Sequence, residues 1–305
     1  MKRGILLLAF AAMAVVTPAL AQNAAAPSGA PRASDIPDFS GIWGHLFWPD
    51  VDAPLSGPGP VVNRSRLRNG VSNISSLVGD YTNPILKPFA ANIVKQRGDM
   101  QINGLAYPTP SNQCWPGGVP FIFWNIGIEL LQQPDKVTIL YVYNNEVRHI
   151  RLNQPHPAMV TPSWYGDSVG RYEGDTLVID TVGVKIGPYS MVDMYGTPHT
   201  SALHVIERYR LIDYEAAKEA QERAAKSNFS LPVTDFGWLP NPDYRGKGLQ
   251  LQYTVEDEGA FTMPWSATVT YRRPRGDWPE FICAESKDMY PGHPAAIPTA
   301  DKPDF

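Results

Sequence analysis

Gly166-Asp167-Ser168-Val169-Gly170-Arg171-Tyr172-Glu173-Gly174-Asp175-Thr176-Leu177-Val178-Ile179-Asp180-Thr181-Val182 is the stretch on which the fold class turns. Residues 166–170 match G-x-S-x-G. In an α/β-hydrolase that motif sets its serine on a sharp turn between a buried strand and a helix, with an acid and a histidine later in the chain. Asp180 or Asp193, then His199 or His204, would satisfy that order. The surroundings point elsewhere. Val169 to Glu173 is a short run leading into Gly174-Asp175, which suits a tight turn, and Thr176 to Val182 beyond it is rich in β-branched residues, so the stretch reads as a β-hairpin. A serine hydrolase using Ser168 is kept as an alternative.

The same pattern extends on both sides. Phe121 to Leu131, Val137 to Tyr143 and Glu146 to Leu152 read as strands, with Asn144-Asn145 as a turn needing positive φ. Leu203 to Leu211, Leu249 to Glu256, Ala267 to Arg273 and Glu280 to Ala284 add more. Tyr214 to Lys226 reads as a helix capped by Asp213, and Pro88 to Arg97 as a second. Residues 38–118 are rich in Gly, Pro and Asn and otherwise read as loop. Eight or more strands without alternating helices must hide their edges. The expected fold is mainly β: a single domain over residues 38–305, either an antiparallel β-barrel of lipocalin (calycin) type or a β-sandwich, with one or two peripheral helices. The barrel is preferred.

Composition narrows the class further. Of 305 residues, 43% are hydrophobic and 18% charged, which fits a packed globular chain. The 30 prolines disfavour long helices, and 26 Lys+Arg against 30 Asp+Glu leave no basic excess for nucleic acid. Lys2 and Arg3, the apolar run Gly4 to Val16 and Pro18-Ala19-Leu20-Ala21 read as a secretory signal peptide over residues 1–21. Residues 22–37 read as a flexible linker. No later run is long and apolar enough for a membrane helix, so no membrane insertion is expected after cleavage, and a periplasmic or secreted location follows. In an oxidising compartment Cys114 and Cys283 are expected to pair, closing a loop worth roughly 5 kcal/mol at most.

Several stretches, taken together, resemble a widespread family of secreted bacterial proteins of undefined function. They are Asp38-Phe39-Ser40-Gly41-Ile42-Trp43, Cys114-Trp115-Pro116-Gly117-Gly118-Val119-Pro120, His156-Pro157, residues 166–181 and Glu207-Arg208-Tyr209-Arg210. The resemblance carries no activity and no catalytic residues. Gly41-Ile42-Trp43 also resembles the G-x-W on the first strand of lipocalin-like barrels, whose Trp packs against an Arg from a late strand. Arg272 or Arg273 would take that part.

Side-chain alternation supplies the chemistry. Leu203, Val205, Tyr209 and Leu211 form one row of their strand, and Glu207 lies on it. Asp180 falls between Val178 and Val182. Both carboxylates are expected to point inward, where each must be paired, be protonated or line a wet cavity. Paired with Arg148 or Arg171 they would be structural. In a cavity, with His156 or His199 as partner acid or base and Arg171 holding an oxyanion, they would support elimination, isomerisation or hydrolysis. The expected partner is a small organic molecule, aromatic or terpenoid-like, given an aromatic content of 11%. The rival readings are a lipocalin-like protein that binds without turnover and a structural envelope protein. His156, His199, His204 and Glu207 are a conceivable but unsupported metal set. No nucleotide, haem or flavin motif is present, so no cofactor is expected.

Overall fold

Strands that follow one another in the chain lie side by side in space. The computed structural model describes residues 36–45, 47–54, 56–230, 241 and 243–283. Strands β1 (Gly41–Gly44), β3 (Gly127–Gln132), β4 (Lys136–Tyr141), β5 (Glu146–Leu152), β6 (Asp167–Glu173), β7 (Thr176–Val182), β8 (His204–Ile212), β10 (Gly248–Glu256) and β11 (Trp265–Tyr271) form one nine-stranded sheet in that order. Strands β2 (Phe47–Trp48) and β9 (Phe229–Ser230) make a separate two-stranded pair. All neighbours in the large sheet are antiparallel except β5 and β6, which pair over only two residues. The two outer strands then meet: Gly44 N–H donates to Arg272 O (2.7 Å), and Arg272 N–H to Gly44 O (2.9 Å). The sheet is thus nearly closed into a barrel, which removes most of its edge.

Of the two arginines expected near Trp43, it is Arg273 that packs on it. Trp43 is 1% exposed, and its indole N–H donates to Phe39 O. The Arg273 guanidinium lies 3.6 Å from the centre of the Trp43 ring and donates to the carbonyls of Ile42 and Ser40. A cation over an indole face, with two backbone bonds, seals the barrel where its first and last strands come together.

Local chemistry explains the turns and helices. Asn144 and Asn145 have φ of 61° and 49°, and Gly174 has φ of 61°, as tight hairpin turns require. Helix α2 (Tyr214–Ser227) begins where the Asp213 carboxylate accepts from Ala216 N–H at 2.8 Å, and it buries Ala217, Ala220 and Ala224 against β10 and β11. Helix α1 (Pro88–Ile102) has Pro in its first turn and buries Ala90, Val94 and Gly98.

Helix α1 runs on to Ile102, β11 sits two residues earlier than expected, and two expected strands differ more. Phe121–Trp124 is a 3₁₀ turn, so the strand begins only at Gly127. Residues 280–283 form no strand; instead Cys283 is bonded to Cys114, as the pairing of the two cysteines requires. The signal peptide, residues 22–35 of the linker and Ala284 lie outside the described residues. No helix among the described residues is long and apolar enough to cross a membrane.

Strand direction sorts the loops. Because β1 and β3, β4 and β5, β7 and β8, and β10 and β11 are antiparallel, their connections all leave one end of the barrel. Residues 142–145, 183–203 and 257–264 are therefore gathered there, and the long connection from β1 to β3 leaves and returns there. The other end carries the tight turns after β3 and β6 and the excursion through α2. Inward rows of Ile, Leu, Val, Tyr and Trp side chains fill the space between as one core.

Candidate functional site

The residues singled out from sequence separate into three places. Inside the barrel, Glu207 is fully buried on the β8 row of Val205 and Tyr209, as alternation predicts. Arg148 of β5, also buried, clamps it bidentately, with Nη2 to Oε1 at 2.6 Å and Nη1 to Oε2 at 2.9 Å. Arg148 also donates to Ser168 and Thr181, and the Tyr209 hydroxyl donates to Glu207. Burial alone would lower the Arg148 pKa; the Glu207 carboxylate beside it overrides this and holds the guanidinium above its ordinary value. Every one of these side chains is enclosed, and Glu207 is paired with Arg148. Ser168, 3% exposed and bonded to that guanidinium, stands in the core of a hairpin strand rather than at an accessible elbow.

Asp180 corrects the inward reading. The β7 residues facing the core are Leu177, Ile179 and Thr181, so Asp180 lies on the outer face. Residues 153–166 cross that face on the way from β5 to β6: Ser163 bridges to Val184, and the Val160 side chain abuts Gly183. The crossing brings His156 to Asp180, with Nε2 3.1 Å from Oδ1. His204 approaches the same oxygen at 2.9 Å, and the outer ring nitrogens of the two histidines face Asp167 (2.6 Å) and Glu256 (3.2 Å). Arg151 pairs with Asp167 in turn. Hydrogen bonds from His204 hold the Asp180 pKa below its usual value, and Asp180 raises that of His204. This is a half-exposed charge chain on the outer wall. Arg171 is also on that wall, exposed and paired with Glu173 rather than aimed at a site.

His199 is in neither group. It is 8% exposed among the loops at the gathered end, where burial lowers its pKa, and its Nδ1 faces Thr200 O. Asp180, Glu207, His156, His199 and Arg171 thus do not converge. His156 and His204 meet at Asp180, while His199 and Glu207 lie apart. Among the described residues no group of three or more His, Cys, Asp and Glu is arranged to hold a metal.

The gathered end holds the carboxylate that alternation did not reveal. Glu146 opens β5 directly after the Asn144-Asn145 turn and is 8% exposed. Three contacts fix this turn: Cys283 N–H donates to Asn144 Oδ1, Trp278 Nε1 to Asn145 Oδ1, and the disulfide carries the 114–118 loop against the same segment. Gly117 N–H from that loop donates to Glu146 Oε1 at 3.0 Å. Among the described residues Oε2 makes no hydrogen bond of normal geometry, and the Gly117 amide and the nearby Tyr165 hydroxyl only partly offset burial. Burial therefore pushes the Glu146 pKa up to about 7.

Glu146 lines a cleft walled by Trp115, Phe121, Trp124 and Tyr143, with rings edge-to-face at 5.1 Å (Trp124–Tyr143) and 5.8 Å (Phe121–Trp124). A second cleft, lined by Trp164, Lys185, Tyr189 and His199, adjoins it through Pro110 and Trp115. Trp115 stands between the two, 37% exposed and edge-on to Trp164 and Tyr189. No backbone pattern announces such a site, because its parts come from loops far apart in sequence. The only sequence signal was the Cys114–Pro120 stretch.

Fold and site together describe a nearly closed β-barrel whose loop-bearing end presents an aromatic cleft with one buried, under-bonded carboxyl group. Comparison with protein-family models, curated proteins and solved structures yields no match to this chain.

Proposed function

We propose that this is an exported, cofactor-independent acid–base enzyme of lyase, isomerase or hydrolase type. Its substrate is a small aromatic or terpenoid-like molecule, bound at the loop-bearing end, and Glu146 transfers the proton. The observation that carries the reading is the Glu146 carboxyl: one oxygen anchored by the Gly117 amide, the other under-bonded, both beside an aromatic cleft. A group that titrates near 7 populates acid and base forms alike at neutral pH, the condition under which proton transfer is most effective. The aromatic walls supply apolar contact, and the Gly117 bond fixes which oxygen meets the substrate. Ser168 and Glu207, enclosed with Arg148, take no part. The disulfide supports export, since such bonds form and persist in oxidising compartments.

Binding without turnover is the second reading. It is favoured by one observation: Glu146 and His199 line adjoining clefts rather than one cavity, so no acid–base pair is assembled. Mass spectrometry of small molecules that co-purify with the protein, followed by turnover assays of wild type and Glu146→Gln, separates the two. The enzyme reading expects turnover to fall at least about 100-fold in the variant with ligand binding retained. Undiminished turnover removes Glu146 from the mechanism, and a ligand returned unchanged by wild type establishes the binder.

A further inference from the structure

The segment that crosses the outer wall from β5 to β6 is fastened there by one histidine. Its ends are tied through the backbone: Asn153 N–H donates to Gly170 O (2.8 Å), and Ser163 N–H to Gly183 O (3.1 Å). Between them, residues 154–162 include Pro155, Pro157 and Pro162, form no helix or strand, and are mostly exposed. Among the described residues, the only hydrogen bonds from this stretch to the barrel are those of His156, and Val160 adds an apolar contact at Gly183. The stretch ends just before Trp164, a wall of the cleft that Lys185 and His199 also line.

His156 uses both ring nitrogens. Nδ1 lies 2.6 Å from Asp167 Oδ1, and Nε2 lies 3.1 Å from Asp180 Oδ1. His204 repeats the pattern from β8, with Nε2 2.9 Å from the same Asp180 oxygen and Nδ1 3.2 Å from Glu256 Oε2. An ionised carboxylate only accepts, so each of these contacts needs an N–H on the imidazole side. A neutral imidazole carries one N–H and an imidazolium carries two. All the bonds therefore exist together only when both rings are charged. Asp167, Asp180 and Glu256 are then balanced by Arg151, His156 and His204. With both rings neutral, Arg151 alone faces the three acids, and each ring turns a lone pair toward a carboxylate.

The acids do not relieve this mismatch. Hydrogen bonds from Arg151 to Asp167 and from His204 to Asp180 hold both carboxyls below their usual range, so they stay ionised at neutral pH. The imidazoles are what change charge between about pH 5 and 8. The His204 backbone is paired on both sides within the sheet, whereas among the described residues that of His156 makes no hydrogen bond. Movement that relieves the repulsion thus falls to the crossing segment.

We propose that residues 154–162 form a pH-dependent strap, clamped to β6 and β7 by charged His156 and lifting from the outer wall when that charge is lost. The clamp is complete in acid and opens as pH rises. It lies outside the barrel and depends on no role of Glu146.

Methyl NMR of the full chain, with labelled valine and the disulfide intact, reads the strap directly. The nuclear Overhauser contact between the Val160 methyls and Gly183 should be present at about pH 5.5 and reversibly lost by about pH 9 in wild type. His156→Gln has no charge to lose, so the contact, held or released, should be the same at both pH values. That variant changes a loop side chain and leaves the barrel core untouched. Asp180→Asn should move the loss to lower pH, because it removes a charge that favours the imidazolium. His204→Gln should keep a pH-dependent loss, since His156 still stands between Asp167 and Asp180. The proposal is overturned if the wild-type contact is equal at both pH values, if His156→Gln retains the pH-dependent loss, or if Asp180→Asn leaves its midpoint unmoved. It is also overturned if His204→Gln abolishes the loss, which would make His204 the group that titrates.

Discussion

Replacing Arg148 by Met should cost far more than replacing Arg148 and Glu207 together. Arg148 donates to Glu207, Ser168 and Thr181 from a site with 1% side-chain exposure, and Glu207 is wholly enclosed. Arg148→Met strips both short bonds from the carboxylate and leaves only the hydroxyls of Tyr209 (3.2 Å) and Thr181 (3.4 Å) as donors. An unpaired buried charge of this kind costs about 3–5 kcal/mol. At roughly 2–4 °C per kcal/mol for a domain of this size, the melting temperature should fall by about 10 °C. The double variant Arg148→Met/Glu207→Leu removes both charges and puts apolar groups of similar length in their place, so it should recover most of that loss. Thermal and urea unfolding followed by circular dichroism, with the disulfide intact, measures all three. The reasoning is refuted if Arg148→Met lies within about 1 kcal/mol of wild type, or if the double variant is no more stable than the single.

The outer charge chain should give a pH-dependent contribution. Asp180 raises the His204 pKa, so this contribution is fully present below the ordinary histidine value and fades as pH rises through the raised one. The stability difference between wild type and His204→Gln should therefore be largest near pH 5–6, at no more than about 1 kcal/mol for so exposed a pair, and vanish by about pH 9; a difference that grows with pH would contradict this. Loss of the Cys114–Cys283 disulfide in Cys114→Ser/Cys283→Ser should lower stability by about 2–5 kcal/mol and free the Gly117 loop from Glu146. Amide exchange at Gly117 reads the second effect, and unchanged protection would show that the loop does not depend on the bridge.

The packing of Trp43 on Arg272 or Arg273 was an expectation from resemblance alone, whereas the strands as a class, both helices and the Asn144-Asn145 turn were legible because each rests on local chemistry or period-two patterning. Glu207 was legible for the same reason: one row of β8 is apolar but for that residue. Asp180 was misread because alternation fails where both faces of a strand are covered. Residues 153–166 cross beside the outer face of β7, and Val178 on that face is 1% exposed, so apolar residues stand on both rows of β7 and alternation does not mark the core face. Glu146 was invisible for a different reason. Alternation places it at a strand end beside two asparagines, and its burial comes from a loop 29 residues away, Trp and Tyr side chains from several segments, and the disulfide. Such long-range loop contacts leave no periodic trace.

The direct test of Glu146 as a buried, near-neutral acid is the pH dependence of folding stability in wild type and Glu146→Gln. Its pKa is raised from 4.5 to about 7, so wild-type stability from this group is full below the lower value and falls as pH climbs through the upper one. The shift corresponds to about 3 kcal/mol at 1.36 kcal/mol per pH unit. Urea unfolding from pH 4 to 9 should show Glu146→Gln gaining about that much on wild type between pH 5 and 8. A difference that stays flat across the range would mean that the carboxyl titrates like an exposed glutamate, and the acid–base site would lose its working group.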